Sequence, residues 1–155
     1  MTNPTTITAN PGELVVDIDR VINAPVAAVF RAYTDPELFA QWCGPRGYVM
    51  DVTAFDVRDG GTWAFTHHTP DEGSFSFRGS FHSVDQNARI IQTFEYLGEP
   101  GHVHLESLTF EDLGDSTRIR IRSVFETLAD RDGMVAQGMA RGVTEGFDRL
   151  DELVR

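Results

Sequence analysis

The chain has 155 residues, enough for one domain with its own core, since a chain of this length buries roughly 68–70% of its unfolded surface. Its net charge of −11 and pI of about 4.7 argue against binding to nucleic-acid phosphates or to an anionic membrane surface. All thirteen basic residues are arginine, so no lysine amine is present for Schiff-base catalysis.

The first twelve residues, MTNPTTITANPG, have neither a basic start nor an apolar run. They predict a flexible polar tail rather than a signal peptide, and we place a single domain at residues 13–155. The lone cysteine, Cys43, cannot form an internal disulfide, which favours a cytoplasmic protein. No stretch approaches the roughly 20 apolar residues that a membrane span needs.

Residues 13–23 alternate as a strand does, and the face with three aliphatic residues also carries Arg20. We expect Arg20 at the rim, with its guanidinium reaching water. The alternative is a half-buried guanidinium that needs a partner. Two short helices should follow, the first starting near Pro25 and the second running from about Pro36 to Gln41.

From Gly47 onward the apolar pattern changes to a period of two residues. It predicts six strands separated by short turns, near residues 47–57, 62–69, 74–85, 88–97, 102–112 and 117–126. Short connections favour an antiparallel meander. Such a sheet, strongly curved around one amphipathic helix, would bury the apolar faces of both.

The last segment, residues 134–154, carries an apolar stripe at helical spacing that includes Met139, Val143 and Phe147. Beside it lie Gly138, Gly142 and Gly146, and each glycine inside a helix costs about 1 kcal/mol relative to alanine. Two interpretations explain this line of glycines. In the first, another backbone packs closely against the helix at these positions, and in the second, the helix covers a cavity.

Several stretches resemble the helix-grip domains of the START-like SRPBCC superfamily, which includes the Bet v 1 allergens. They are NAPVAAVFRAYTDPELFAQW, WCGPRGY, DVRDGGTW, FRGSF, EDLGDSTRIRI and GMARGVTEGFDRLDELV. Within the superfamily the chain looks like the bacterial branch related to Aha-type activators of the heat-shock chaperone ATPase. The resemblance implies an α+β fold, with a curved antiparallel sheet wrapped around a long C-terminal helix and two short helices after the first strand.

The resemblance implies three classes of function, and fold alone does not separate them. The first is binding of a small apolar or aromatic molecule between sheet and helix, without an obligate cofactor. The second is an enzyme of polyketide cyclase, dehydratase or hydrolase type, and the third is a chaperone-interacting module. Where the family commonly has a second tryptophan after Trp42, this chain has Cys43, a departure that would reshape one end of a pocket.

Strand parity places many large rings on shared faces, an arrangement typical of a core and also suited to a ligand pocket. The residues proposed to line such a pocket are Trp42, Cys43, Trp63, Phe65, His67, Phe77, Gly79, Phe81, Phe94, Tyr96, His104, Glu106, Ser123, Gly138, Met139, Gly142, Val143 and Phe147.

His102, His104 and Glu106 share one strand face, which we interpret as a polar side facing solvent rather than a metal site. Hairpin geometry gives a competing placement. If residues 102–126 pair without a bulge, Glu106 opposes Ser123, and His104 and Glu106 line the concave face as acid–base candidates. A bulge near Ser107 would instead turn Val103 and Leu105 inward.

The remaining candidate groups have simpler interpretations. Asp56 and Arg58 fit a structural ion pair beside a glycine turn better than an anion site. Cys43 has no activating base in its sequence neighbourhood, so we expect an inert thiol. No phosphate loop, dinucleotide fingerprint or G-x-S-x-G elbow is present in the sequence.

Overall fold

An eight-stranded antiparallel sheet dominates the structure, a computed structural model that describes residues 2–155. Its strands are β1 (Thr5–Thr8), β2 (Val15–Ile22), β3 (Val49–Phe55), β4 (Thr62–His68), β5 (Ser74–Asp85), β6 (Arg89–Tyr96), β7 (Val103–Asp112) and β8 (Thr117–Val124). Their order across the sheet is β1-β2-β8-β7-β6-β5-β4-β3. The helices are α1 (Val26–Thr34), α2 (Pro36–Trp42), α3 (Leu128–Ala136) and α4 (Met139–Val154).

Strict alternation fixes which face of the sheet is buried. In β8, Ile119 and Ile121 point into the core, whereas Arg118 and Arg122 face outward and pair with aspartates of β2. A register shift of one residue would bury these guanidinium groups, so the pattern permits a single register. The inner face packs on α1, α2 and α4, and this is the predicted helix-grip arrangement.

Two irregularities bend the sheet around its helices. One interrupts the pairing of β3 with β4 between Val52 and Ala54, and the other interrupts the pairing of β5 with β6 between Phe81 and Ser83. An extra residue in one strand increases its bend and local twist. Both irregularities lie in the half of the sheet where the aromatic residues are concentrated.

The expectation of a flexible tail over residues 1–12 is wrong for Thr5–Thr8, which form the edge strand β1. Threonine and isoleucine favour strands, and Ile7 pairs with Ile18 of β2 and packs against the core. Upstream, the Asn3 amide donates to the Val21 carbonyl at 3.0 Å. Met1 lies outside the described residues.

The predicted single helix over 134–154 is also wrong, because the segment holds parts of two helices. Gln137 ends α3 by donating to the carbonyls of Gly133 and Met134, and Gly138 follows with φ +81°. This left-handed conformation is the usual position of a glycine after a helix. Since the apolar spacing continues across the break, periodicity could not detect it. None of the helices within residues 2–155 has the length and apolarity to cross a membrane.

Arg20 lies in the core rather than at the rim, so the expectation that its guanidinium reaches water is wrong. Its side chain is 0% exposed, and Nη1 is 2.9 Å from Oδ1 of Asp148 on α4. Asp151, one helical turn further, lies 3.9 Å from Nη2 and also accepts from the backbone and side-chain nitrogens of Asn23. The inward face of β2 therefore supplies a cation that is matched by carboxylates of α4.

We expect Arg20→Met to destabilise the fold by about 3–5 kcal/mol, because it leaves the buried Asp151 carboxylate without its cation. Urea unfolding of the variant and the natural chain measures the difference. Arg122→Met, which breaks an exposed pair with Asp17, is the control and should leave the urea midpoint nearly unchanged. Equal effects of the two substitutions would contradict a central role for Arg20.

Candidate functional site

A cavity of about 950 Å³ lies between the concave face of the sheet and helices α3 and α4. Many aromatic side chains from α1, α2 and β3–β6 line it, among them Tyr33, Phe39, Trp63, Phe65, Phe77, Phe94 and Tyr96. The rings contact one another with centroids 4.8–6.4 Å apart where they touch, as in the pairs formed by Trp63, Phe65, Phe77 and Phe94. Such a space is large enough for a drug-sized molecule.

The cavity wall formed by β6, β7 and β8 is banded, because cross-strand pairing aligns residues of similar character. Gln92, Glu106 and Ser123 pair across the three strands and form a polar row. On one side of this row lies an aliphatic row of Ile90, Leu108 and Ile121. On the other side lies an aromatic row, in which His104 stands between Phe94 and Phe125 with ring centroids 5.0 and 4.4 Å away.

Glu106 is the centre of the polar row and accepts hydrogen bonds at both carboxylate oxygens. The Gln92 amide donates to Oε1 at 2.9 Å, and the Ser123 hydroxyl donates to Oε2 at 3.4 Å. Nε2 of His104 lies 3.5 Å from the same Oε2. The Glu106 side chain is 18% exposed and the His104 side chain 7%, so the pair is largely removed from water.

The ionised form of Glu106 is favoured despite its burial. Desolvation alone raises the pKa of this carboxyl, but His104, Gln92 and Ser123 act in the opposite direction, and the net pKa lies below its ordinary value. The cavity therefore carries a carboxylate, not a neutral carboxylic acid, at neutral pH.

Three further polar groups line the end of the cavity near α2. Burial raises the pKa of Tyr33 well above its ordinary value and the pKa of Cys43 to about 12, so both side chains stay protonated. Burial lowers the pKa of His67, whose Nε2 lies 3.1 Å from the Cys43 carbonyl. A neutral His67 with its proton on Nε2 donates to that carbonyl.

The cavity mouth is formed by exposed lining residues of α3, of the first turn of α4 and of the loops in the β4–β5 and β6–β7 hairpins. Its charged residues are Glu72, Glu99, Asp130, His102 and Arg141. His102 Nδ1 lies 2.8 Å from Asp130 Oδ1, which links β7 to α3. Arg141, with a side chain 66% exposed, pairs with Glu145 on its own helix.

The profile of one protein family, described as Activator of Hsp90 ATPase homolog 1-like protein, matches residues 23–155. The chain belongs to this family. The resemblance drawn from the sequence motifs is thereby confirmed. The family description names a chaperone activator, but membership by itself does not assign that activity to this chain.

Solved structures of similar chains confirm the helix-grip fold. A solution structure of a protein from Arthrobacter aurescens has a TM-score of 0.87 at 21% identity, over 96% of this chain and 90% of the other. A crystal structure from Rhodobacter sphaeroides has the same TM-score and identity, over 97% of each chain. A crystal structure of CalU16 from Micromonospora echinospora has a TM-score of 0.63 at 19% identity, over 99% of this chain and 87% of the other. At these identities the likeness shows the fold alone. No curated protein matches the chain significantly.

In this member of the Hsp90 ATPase activator homolog family, all but one of the residues proposed for the pocket lie on the cavity wall. The exception is Gly79, which is covered by the indole of Trp63 from the adjacent strand. A side chain at Gly79 would collide with that indole and with the Thr93 carbonyl. The glycine thus makes room for a wall residue, and the role of the wall residues in ligand binding stays a prediction.

The placement of His104 and Glu106 decides between two earlier expectations. The strands β7 and β8 pair without a bulge, so Glu106 opposes Ser123 and both candidates face the cavity. The expectation that this strand face is exposed to solvent is correct for His102 and wrong for His104 and Glu106. Leu105, which a bulge would have turned inward, is exposed. Arg20, the other inward-facing charged residue considered in the sequence, is committed to α4 and not to this pair.

Sequence reasoning omitted several wall residues. Gln92 could have been found, since it shares the face of Phe94 and Tyr96 by strand parity. The contribution of α3, including Asp130 and Met134, was missed because the helix break at Gly138 gives no signal in the apolar spacing.

The three aligned glycines have three different roles. Gly138 supplies the left-handed turn between α3 and α4. At Gly146, a Cβ atom would lie 3.1 Å from the backbone nitrogen of Gly44, so this position serves close packing. At Gly142, a Cβ atom would make only ordinary contact with the Pro45 side chain, 3.5 Å away, and the residue borders the cavity. Both earlier interpretations of the glycine line therefore apply, at different positions.

We expect the Cys43 thiol to resist labelling by Ellman's reagent in the folded protein. With a pKa of about 12, the thiolate fraction at pH 8 is on the order of 10⁻⁴, against about a quarter for a free thiol of pKa 8.5. The labelling rate should be about 10³ lower than in urea and should keep rising beyond pH 9. Cys43→Ser gives the background. A native rate that reaches a plateau below pH 9 would contradict this assignment.

Proposed function

We propose that the protein binds a small hydrophobic or aromatic molecule in the cavity between the sheet and α4. The observation that carries this proposal is the banded wall, in which one polar row lies between an aliphatic row and an aromatic row. Ligand sites are typically apolar with a few placed polar groups, and this wall has that composition.

The packing around the cavity supports a space that the fold maintains rather than a packing defect. Protein interiors are normally filled to high density, with few voids larger than a water molecule. Here Arg149 of α4 donates to the carbonyls of Gln41, Gly44 and Pro45, while Arg20 holds the same helix to β2. These polar contacts hold α4 to β2 and to the segment at the end of α2, and the enclosed apolar surface is left for a ligand to cover.

The test is binding of 9-anthracenemethanol, a neutral aromatic probe, followed by energy transfer from Trp42 and Trp63 of the cavity wall. We expect saturable binding of one probe per chain. Gly142→Leu should weaken it about fivefold, or roughly 1 kcal/mol, because the new side chain occupies cavity space. Its melting temperature should not fall, since leucine is the better helix former.

Two variants on the same helix serve as controls for this experiment. Thr144→Leu places the same leucine side chain on α4 outside the cavity wall and should leave binding unchanged. Gly146→Leu should lower the melting temperature, because its Cβ atom would press on the Gly44 backbone. Absence of saturable binding, or equal binding by Gly142→Leu and the natural chain, would refute the proposed site.

The contact between His104 and Glu106 favours a second candidate, an acid–base enzyme of cyclase, dehydratase or hydrolase type. The two groups lie 3.5 Å apart inside an apolar cavity, a setting in which catalytic carboxylates and imidazoles commonly act. A binding protein would use the same pair to orient the polar end of its ligand.

Glu106→Gln separates these candidates, since glutamine keeps the shape but cannot take up a proton. The molecule that co-purifies with the protein from its own host is identified by native mass spectrometry and supplied to both forms. In a binding protein we expect no mass change and an affinity change of about tenfold or less. Conversion of the molecule, lost by a factor of about 10²–10⁴ in Glu106→Gln, would establish the enzyme instead.

A further inference from the structure

The buried carboxylate of Glu106 is incompletely matched by the groups around it. Gln92 makes one short hydrogen bond at Oε1, whereas the contacts at Oε2, from Ser123 and His104, measure 3.4 and 3.5 Å. A charge-assisted hydrogen bond from nitrogen to a carboxylate is normally about 2.7–2.9 Å long. An ionised carboxylate offers about four acceptor positions. Oε2 therefore retains capacity for one strong donor.

Permanent positive charge is almost absent from the cavity wall. The chain has no lysine, and among the described wall residues the one arginine is Arg141, which lies at the mouth and pairs with Glu145. Arg149 of α4 is committed to the backbone carbonyls of Gln41, Gly44 and Pro45. The mouth adds the carboxylates of Glu72, Glu99 and Asp130.

The rest of the wall suits an organic cation. Aromatic faces attract ammonium groups, most strongly when the groups are desolvated. Phe94 and Tyr96 belong to the strand that carries Gln92, and Trp63 contacts Phe94 with ring centroids 5.4 Å apart. An anionic ligand, by contrast, would meet an ionised carboxylate with no fixed cation to offset it.

We infer that the cavity selects hydrophobic amines, with the ligand ammonium donating to Oε2 of Glu106 and the apolar body lying on the aromatic wall. This inference rests on the proposed binding function and specifies its ligand class. The same arrangement disfavours fatty acids and other carboxylates.

Three anthracene probes of nearly equal shape test the inference at pH 7.5. They are 9-(aminomethyl)anthracene, 9-anthracenemethanol and 9-anthracenecarboxylate, which carry positive, zero and negative charge. We expect the amine to bind about tenfold more tightly than the alcohol, and the carboxylate to bind most weakly. Measurement in 0.5 M salt separates the contribution of the buried Glu106 from that of the carboxylates at the mouth, because screening weakens exposed charges far more than buried ones. A preference for the amine that arises at Glu106 should persist in this salt.

Glu106→Gln should abolish the preference for the amine while the alcohol still binds. Glu111→Gln is the matched control, since it removes the same charge from the same strand on the outward face, and it should keep the preference. Equal or tighter binding of the carboxylate, or an amine preference that survives Glu106→Gln, overturns this inference and leaves the binding function intact. Failure of all three probes to bind overturns both.

Discussion

The ion pair between Arg20 and the carboxylates of α4 connects the two sides on which the cavity depends. β2 belongs to the sheet and α4 closes the concave face, and the two are far apart in sequence. A guanidinium without access to water is stable only with matched acceptors, so burial makes its geometry demanding. Because Asp148 and Asp151 lie three residues apart, one helical face presents both carboxylates to the guanidinium, at 2.9 and 3.9 Å. The distance between sheet and helix is thereby set by polar contacts, and the aromatic side chains need not fill the space.

The polar row has a different physical basis, since it depends on strand register. Glu106 faces inward because β7 and β8 pair without a bulge from Leu105 to Asp112. Its charge is tolerated because neighbours at the same level of the sheet, Gln92 and Ser123, donate to it. Loss of either neighbour would leave a buried carboxylate less well solvated, a costly condition in an apolar cavity. The three residues therefore act as one group.

Much of the fold was predictable from the sequence, because alternation in the strands and the motif resemblance agree. Hairpin geometry offered the register of β7 and β8 that places Glu106 opposite Ser123, but the sequence left a bulge near Ser107 equally open, and the observed pairing decides between them. Single-residue features were harder to foresee. The break at Gly138 leaves the apolar spacing intact, and burial of Arg20 depends on carboxylates more than 120 residues away in sequence. Edge strand β1 is short and polar, so only its partner β2 reveals it.

The aliphatic, polar and aromatic rows of the cavity wall are separated by a fixed distance. Residues two apart on a strand lie about 7 Å apart, so the polar row is separated from the aliphatic and aromatic rows by that step. A molecule that matches this wall must repeat the spacing along its own skeleton. If substitutions made a neighbouring row polar and the present polar row apolar, the position on the wall that accepts a polar group would move by about 7 Å. Every backbone hydrogen bond of the sheet would stay in place. Chains at about one-fifth identity can therefore share this architecture while the character of the rows along the sheet differs.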